Sequence, residues 1–137
     1  MQIEFPIEFV VEGVPLSHQS GRAPARVEWK ERVKTASKTA LPEGHWASDG
    51  RISATLYYFP VDLMEGDIDN IVKLVLDALV QHIYIDDRQI ERIVVQKFEE
   101  RFPVSFAQPS DILQLALAGP RPALYIRLSD NPLEDLK

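Results

Sequence analysis

"GDIDNIVKLVLDALVQHIYIDDRQIERIVV", residues 66–95, places two aspartates ahead of an apolar run and two more just beyond it. Ile68, Ile71, Val72, Val75 and Leu79 recur at steps of three and four, which predicts a helix over residues 69–82. At about 14 residues it would be roughly 21 Å long. "IYI" reads as a short extended piece, Asp86-Asp87 as a turn, and "QIERIVVQKFEE" as a strand with a charged side.

Outward from this stretch, strands and helices alternate. "QIEFPIEFVVEG" is β-branched and aromatic and reads as a strand, with Pro6 marking an edge or a bulge. "PLSHQSGRAP" is turn chemistry, in which Ser17 and Ser20 are turn formers. "ARVEWKERVKTASKTAL" has Val27, the Lys30 stem, Val33 and Ala36 or Ser37 at helical spacing, and Pro24 suits a first turn. After the loop "PEGHWASDG", "RISATLYYFP" alternates as a strand. Beyond the central stretch, "QPSDILQLALAG" has Ser110 or Asp111 as a cap and Gly119 as a stop. "RPALYIRLSD" is a last strand, and residues 131–137 read as a frayed tail. The order β-α-β-α-β-α-β implies one α/β (α+β) domain over residues 1–137, a small mixed sheet with helices packed on it. Ligands in such folds sit in the loops after strands.

Composition narrows the chemistry. The chain has no cysteine, so disulfides, thiolate zinc sites and cysteine nucleophiles are excluded. No apolar run approaches the roughly 20 residues of a membrane span, and "MQIEFPIEFVVEG" does not read as a signal peptide. The net charge of −6 argues against a polyanionic partner, but its distribution does not. Residues 13–40 hold six basic side chains against two acids, whereas residues 61–100 hold ten acids against four basic residues.

Taken singly, each acid of the opening stretch is ordinary. Asp69 suits an N-cap, Asp67 suits the positive end of a helix, and Lys73 with Asp77 suits an i, i+4 ion pair. Taken together they invite another reading. Asp67 and Asp69 lie two apart, so in an extended lead-in both point the same way. If the chain returns Asp86-Asp87 beside the helix start, several carboxylates converge and repel unless a cation bridges them. Hard oxygen donors suit Mg²⁺ or Mn²⁺, and the matching chemistry is metal-assisted phosphodiester hydrolysis. His18, His45 and His82 lack ligand spacing and are expected on surfaces. No phosphate-cradling loop and no nucleophile elbow is present.

"DIDNIVKLVLDAL" followed by "IYIDDRQI" resembles the D-x-D-N-x-x-K…D-A-L…D-D-x-Q signature of the RusA family of Holliday-junction resolvases. "PLSHQSGRAPARVEWKERV" is similar to that family's loop-then-helix segment. The resemblance spans roughly residues 3–100 and implies a homodimeric, Mg²⁺-dependent endonuclease, with Mn²⁺ as a substitute, that cuts four-way DNA junctions in recombination and repair. It implies Asp67, Asp69 and Asp87 as metal-binding catalytic acids with Asp86 as a helper, Lys73 as the essential basic residue, and Asn70 as support at the helix start. Arg22, Arg26, Lys30 and Lys34, at four-residue steps, would follow DNA phosphates. Trp29 is read as a core anchor rather than a stacking residue. A cytoplasmic, often prophage-encoded setting, no organic cofactor and no membrane complete the expectation. Two alternatives stand beside it: a nuclease for other branched DNA, and a non-catalytic DNA-binding relative.

Overall fold

A computed structural model describes residues 1–17, 22–64, 66–134 and 136. The expected order holds: β1 (Ile7–Glu12), α1 (Ala23–Ser37), β2 (Ile52–Phe59), α2 (Val72–Leu79), β3 (Ile90–Lys97), α3 (Asp111–Ala118) and β4 (Ala123–Ser129). The four strands form one mixed sheet ordered β1-β4-β2-β3. β4 is antiparallel to both β1 and β2, whereas β2 and β3 run parallel across the α2 connection. Parallel neighbours need such a crossover, and the 66–95 stretch supplies it. β2 and β4 lie inside the sheet and are buried almost throughout. β1 is an edge strand beginning just after Pro6, so the proline costs no ladder bond.

α1 and α2 pack side by side on one face of the sheet. Trp29 and Val33 of α1 and Leu74, Val75 and Leu79 of α2 meet Ile7, Phe9, Leu56 and Ile126 in the main core. Each such burial contributes about 1.5–3 kcal/mol. A smaller cluster of Phe59, Phe98, Leu113, Ala116 and Tyr125 lies under α3. α3 is bounded as its sequence suggests: the Ser110 hydroxyl accepts from the Leu113 N–H at 3.1 Å, and Gly119 ends the helix.

Several local expectations are corrected. The inward stripe of α1 is Trp29, Val33 and Ser37, while Val27 is exposed. Trp29, the largest apolar side chain on the helix, sets its rotation, and Val27 lies off that stripe. The 69–82 helix is shorter: a 3₁₀ turn, Ile68–Ile71, leads into α2, which ends at Leu79. Val80 is extended and Gln81 has φ +61°, so the chain leaves the helix there. Ile83 and Tyr84 stay buried at helix-like spacing because a tight turn, not a helix, returns the Ile83 N–H to the Leu79 carbonyl at 2.9 Å. "IYI" forms only isolated bridges through Tyr84.

His82 is buried rather than on the surface, its Nε2 2.8 Å from the Ser37 hydroxyl. His45 Nε2 lies 2.8 Å from the His82 carbonyl oxygen. His18 falls outside the described residues. The tail is tied down as far as Glu134: Pro132 is buried, and Arg127 Nη1 meets Glu134 Oε1 at 2.6 Å. A charge-assisted bond beside a buried proline replaces the expected fraying there, and Asp135 and Lys137 lie outside the described residues.

Candidate active site

Asp67 stands at the N-cap of the Ile68–Ile71 turn with extended backbone, φ −89° and ψ 143°. It occupies the position where an aspartate ordinarily bonds the free N–H groups of a helix start. Its side chain makes no such bond among the described residues. The turn is closed instead by backbone, the Asn70 N–H donating to the Asp67 carbonyl at 3.1 Å. The exposed Asp67 carboxylate is therefore not spent on capping. Asp69 is not the cap. It lies within the first 3₁₀ turn, also exposed, so the alternation of an extended strand does not relate it to Asp67.

The second acid pair divides its labour. Asp86 caps the Asp87–Gln89 turn, accepting from the Arg88 N–H at 3.4 Å and from Arg88 Nε at 2.8 Å. Hydrogen bonding with Asp87, and then from the Arg88 N–H and guanidinium, holds the Asp86 carboxyl below the usual range. Asp87 also reaches across to Lys73 on the first turn of α2, with Oδ2 3.6 Å from Nζ. Lys73 also meets Asp77 Oδ1 at 3.0 Å. The Asp77 hydrogen bond and charge, followed by those of Asp87, hold the Lys73 ammonium above its ordinary pKa. The long-range Lys73–Asp87 pair links the acid turn ahead of β3 to the first turn of α2. Asp87 precedes β3, so only Asp67 fits the expectation of a loop following a strand.

A cleft of about 720 Å³ opens beside the helix mouth, lined by Leu16, Tyr58, Met64, Asp67, Asn70 and Ile71 among others. Glu99 braces the loop that reaches it. This carboxylate is only 6% exposed, accepts from the Met64 N–H at 3.1 Å, and is flanked by Lys97 and Arg101. The Met64 N–H first, with Arg101 and Lys97, keeps Glu99 below the usual carboxylate range. In the sequence Glu99 is one acid among ten, and nothing in its neighbours separates it from Glu100.

The basic residues lie along α1. Residues 14–17, which lead toward α1, share the cleft with Asp67, and Ser37 at its end bonds His82 just past α2. The two helices therefore run in the same direction, with Arg22, Arg26, Lys30 and Lys34 spaced along the one beside the acids. Trp29 is buried, as a core anchor should be.

Among the described residues, no three His, Asp or Glu side chains are gathered closely enough to hold a metal ion. The donor chemistry nonetheless suits one. Asp67, Asp69 and Asp87 are exposed carboxylates, hard oxygen donors of the kind Mg²⁺ and Mn²⁺ take.

Exposed aspartates at one helix mouth, a lysine on that helix paired with a second acid turn and a basic helix alongside define a class of site suited to phosphodiester chemistry. Residues 17–104 match the family described as Endodeoxyribonuclease RusA, and the chain belongs to that family. It is by family an endodeoxyribonuclease, a hydrolase, and the family acts on branched DNA junctions. No curated protein matches the chain. No helix among the described residues is long and apolar enough to cross a membrane.

Proposed function

We propose that this chain is a divalent-metal-dependent resolvase that cuts four-way DNA junctions in recombination and repair, in the cytoplasm. The Lys73–Asp87 contact carries the reading, since it ties the second acid pair to the helix start that bears the first. Asp67, Asp69 and Asp87 would hold Mg²⁺ or Mn²⁺, which when bound supplies Lewis acidity and a low-pKa water for phosphodiester hydrolysis. Lys73 faces the phosphate oxygens on which charge develops, where a fixed cation lowers the barrier. Asp86 shapes the turn and carries Asp87. Asn70 closes the first turn through its backbone and lines the cleft. Arg22, Arg26, Lys30 and Lys34 neutralise backbone phosphates.

A four-way junction has approximate two-fold symmetry, so paired cuts need two sites at fixed separation. A closed two-fold dimer supplies them. Sedimentation should then give about twice the 15.6 kDa chain mass.

One observation favours binding without cleavage: among the described residues, no trio of acids is already gathered. A panel of labelled four-way junctions, forks and flaps in Mg²⁺ and in Mn²⁺ separates the readings. Symmetric nicks confined to the four-way junction support resolution. Equal cutting of flaps supports a broader branched-DNA nuclease, and binding with no cutting in either metal overturns catalysis.

A further inference from the structure

Gln89 uses every hydrogen-bonding position of its side-chain amide. Its Oε1 accepts from the Ile85 N–H at 2.8 Å and the Asp86 N–H at 2.9 Å. Its Nε2 donates to the Ser48 carbonyl at 2.8 Å and the Gly50 carbonyl at 2.7 Å. An amide offers two acceptor lone pairs and two N–H groups, and all four are taken by backbone.

These bonds join two distant pieces of chain. One is the backbone entering the acid turn, and the other is the loop ahead of β2, about forty residues earlier in sequence. That loop is itself fixed, because the Ser48 N–H donates to the Ile83 carbonyl at 2.8 Å and the Gly50 N–H to the Ser48 hydroxyl at 3.2 Å. The turn's other side-chain ties are ion pairs: Asp86–Arg88, with Arg88 87% exposed, and Asp87–Lys73, with both side chains about half exposed. Pairs so open to water fix little. The amide clamp is the side-chain contact that ties the turn to the loop ahead of β2.

We propose that Gln89 is a positioning residue that sets Asp87 against Lys73 and the start of α2. The inference rests on the reading of Asp87 as a metal-binding acid. The residue type follows from the bonds. A glutamate keeps the two acceptor contacts but turns an oxygen toward the Ser48 and Gly50 carbonyls. An asparagine is one methylene too short to reach both pieces of chain. A methionine keeps the length and bulk and loses all four bonds.

The test compares Gln89→Met, Gln89→Glu and Asp87→Asn with wild type. Three quantities are read: single-turnover cleavage of saturated four-way junction, junction Kd without metal, and hydrogen exchange at individual amides. In Gln89→Met, exchange at the Ile85 and Asp86 amides should quicken while β2 and β4 stay protected. Cleavage of bound junction should fall about 10²-fold, the scale of an ångström's misplacement of a reacting group. The metal-free Kd should stay within about two-fold of wild type, because no phosphate contact is removed. Gln89→Glu should fall between the two, and it carries the test by the same criteria if Gln89→Met does not fold. A folded variant that cuts at the wild-type rate overturns the proposal. So does one whose affinity and cleavage fall in proportion, which would make the clamp general scaffolding. If Asp87→Asn is inactive while Gln89→Met cuts normally, this inference alone fails. If Asp87→Asn also cuts normally, the parent reading of the site fails with it.

Discussion

Lys73 Nζ lies 3.0 Å from Asp77 Oδ1 and 3.6 Å from Asp87 Oδ2, so one ammonium joins its own helix to the turn ahead of β3. The Asp77 contact is a half-exposed i, i+4 pair, a kind that contributes only about 0.3–0.5 kcal/mol. The Asp87 contact crosses the fold. Asp77→Asn should therefore leave the melting temperature and cleavage nearly unchanged. Lys73→Ala should lower single-turnover cleavage about 10²–10³-fold, the scale of losing one charge-stabilising donor. Lys73→Arg should rescue only part of this, since a planar guanidinium does not replace a compact ammonium. Equal effects of Asp77→Asn and Lys73→Ala would reduce the lysine to a helix-surface ion pair.

Metal should stabilise the folded chain, because a cation relieves repulsion among the acids it gathers. At a free concentration a hundred times Kd the gain is about 2.7 kcal/mol. Melting curves with and without Mn²⁺ should show a rise in wild type and little in Asp67→Asn. Equal shifts in both would mean that the cation binds elsewhere.

Binding and chemistry should separate. Lys30→Gln combined with Lys34→Gln removes two cations from α1, the helix packed beside α2. Junction affinity should weaken, and its log–log salt slope should flatten by about 1.8, roughly 0.9 for each phosphate no longer neutralised. Cleavage of saturated junction should hold. An unchanged salt slope would leave those lysines as a solvated helix face.

His82 gives the fold a pH dependence. Burial first, then the charges of His45, Lys34 and Lys38, lowers its pKa from 6.5 to about 4. Between these values the unfolded chain takes up a proton that the folded chain refuses. This contribution to stability is complete above pH 6.5 and is lost as pH falls toward 4, at no more than about 1.4 kcal/mol per pH unit. Urea unfolding at pH 7.5, 6 and 5 should show the decline. His82→Gln, which keeps a partner for Ser37, should flatten it; an equally steep decline in that variant would assign the effect to other groups.

The architecture is legible in the sequence wherever burial and local pattern agree. "RISATLYYFP" and "RPALYIRLSD" read as strands and form the two inner ones, and Ser110 with Gly119 bounds α3. Legibility ends where one apolar spacing serves two conformations. Ile83 lies four residues past Leu79 and is fully buried, but a turn at Gln81 delivers it rather than a further turn of helix. For α1, Val27 and Trp29 both offer plausible inward faces, and only the neighbouring helix and sheet choose between them. At the site, the acids and Lys73 stand out by spacing. The different tasks of adjacent Asp86 and Asp87 do not, because they depend on partners at Arg88 and, across the fold, at Lys73. Gln89 stands in the D-D-x-Q pattern and closes a local capping box with Asp86, but its bonds to Ser48 and Gly50, like the Glu99 bond to Met64, cross some 35 to 41 residues and leave no mark in sequence.

Whether the second acid pair does chemistry is decided by Asp87→Asn, read by single-turnover cleavage of a four-way junction in Mg²⁺ beside a binding titration. Asparagine keeps the volume and turn preference of aspartate while removing the charge and the ionic oxygen. Cleavage should fall by orders of magnitude. Junction affinity should hold or rise, because one negative charge near the phosphates is gone. A folded Asp87→Asn protein that binds and cuts like wild type would contradict the metal-site reading and leave the second acid pair as a turn.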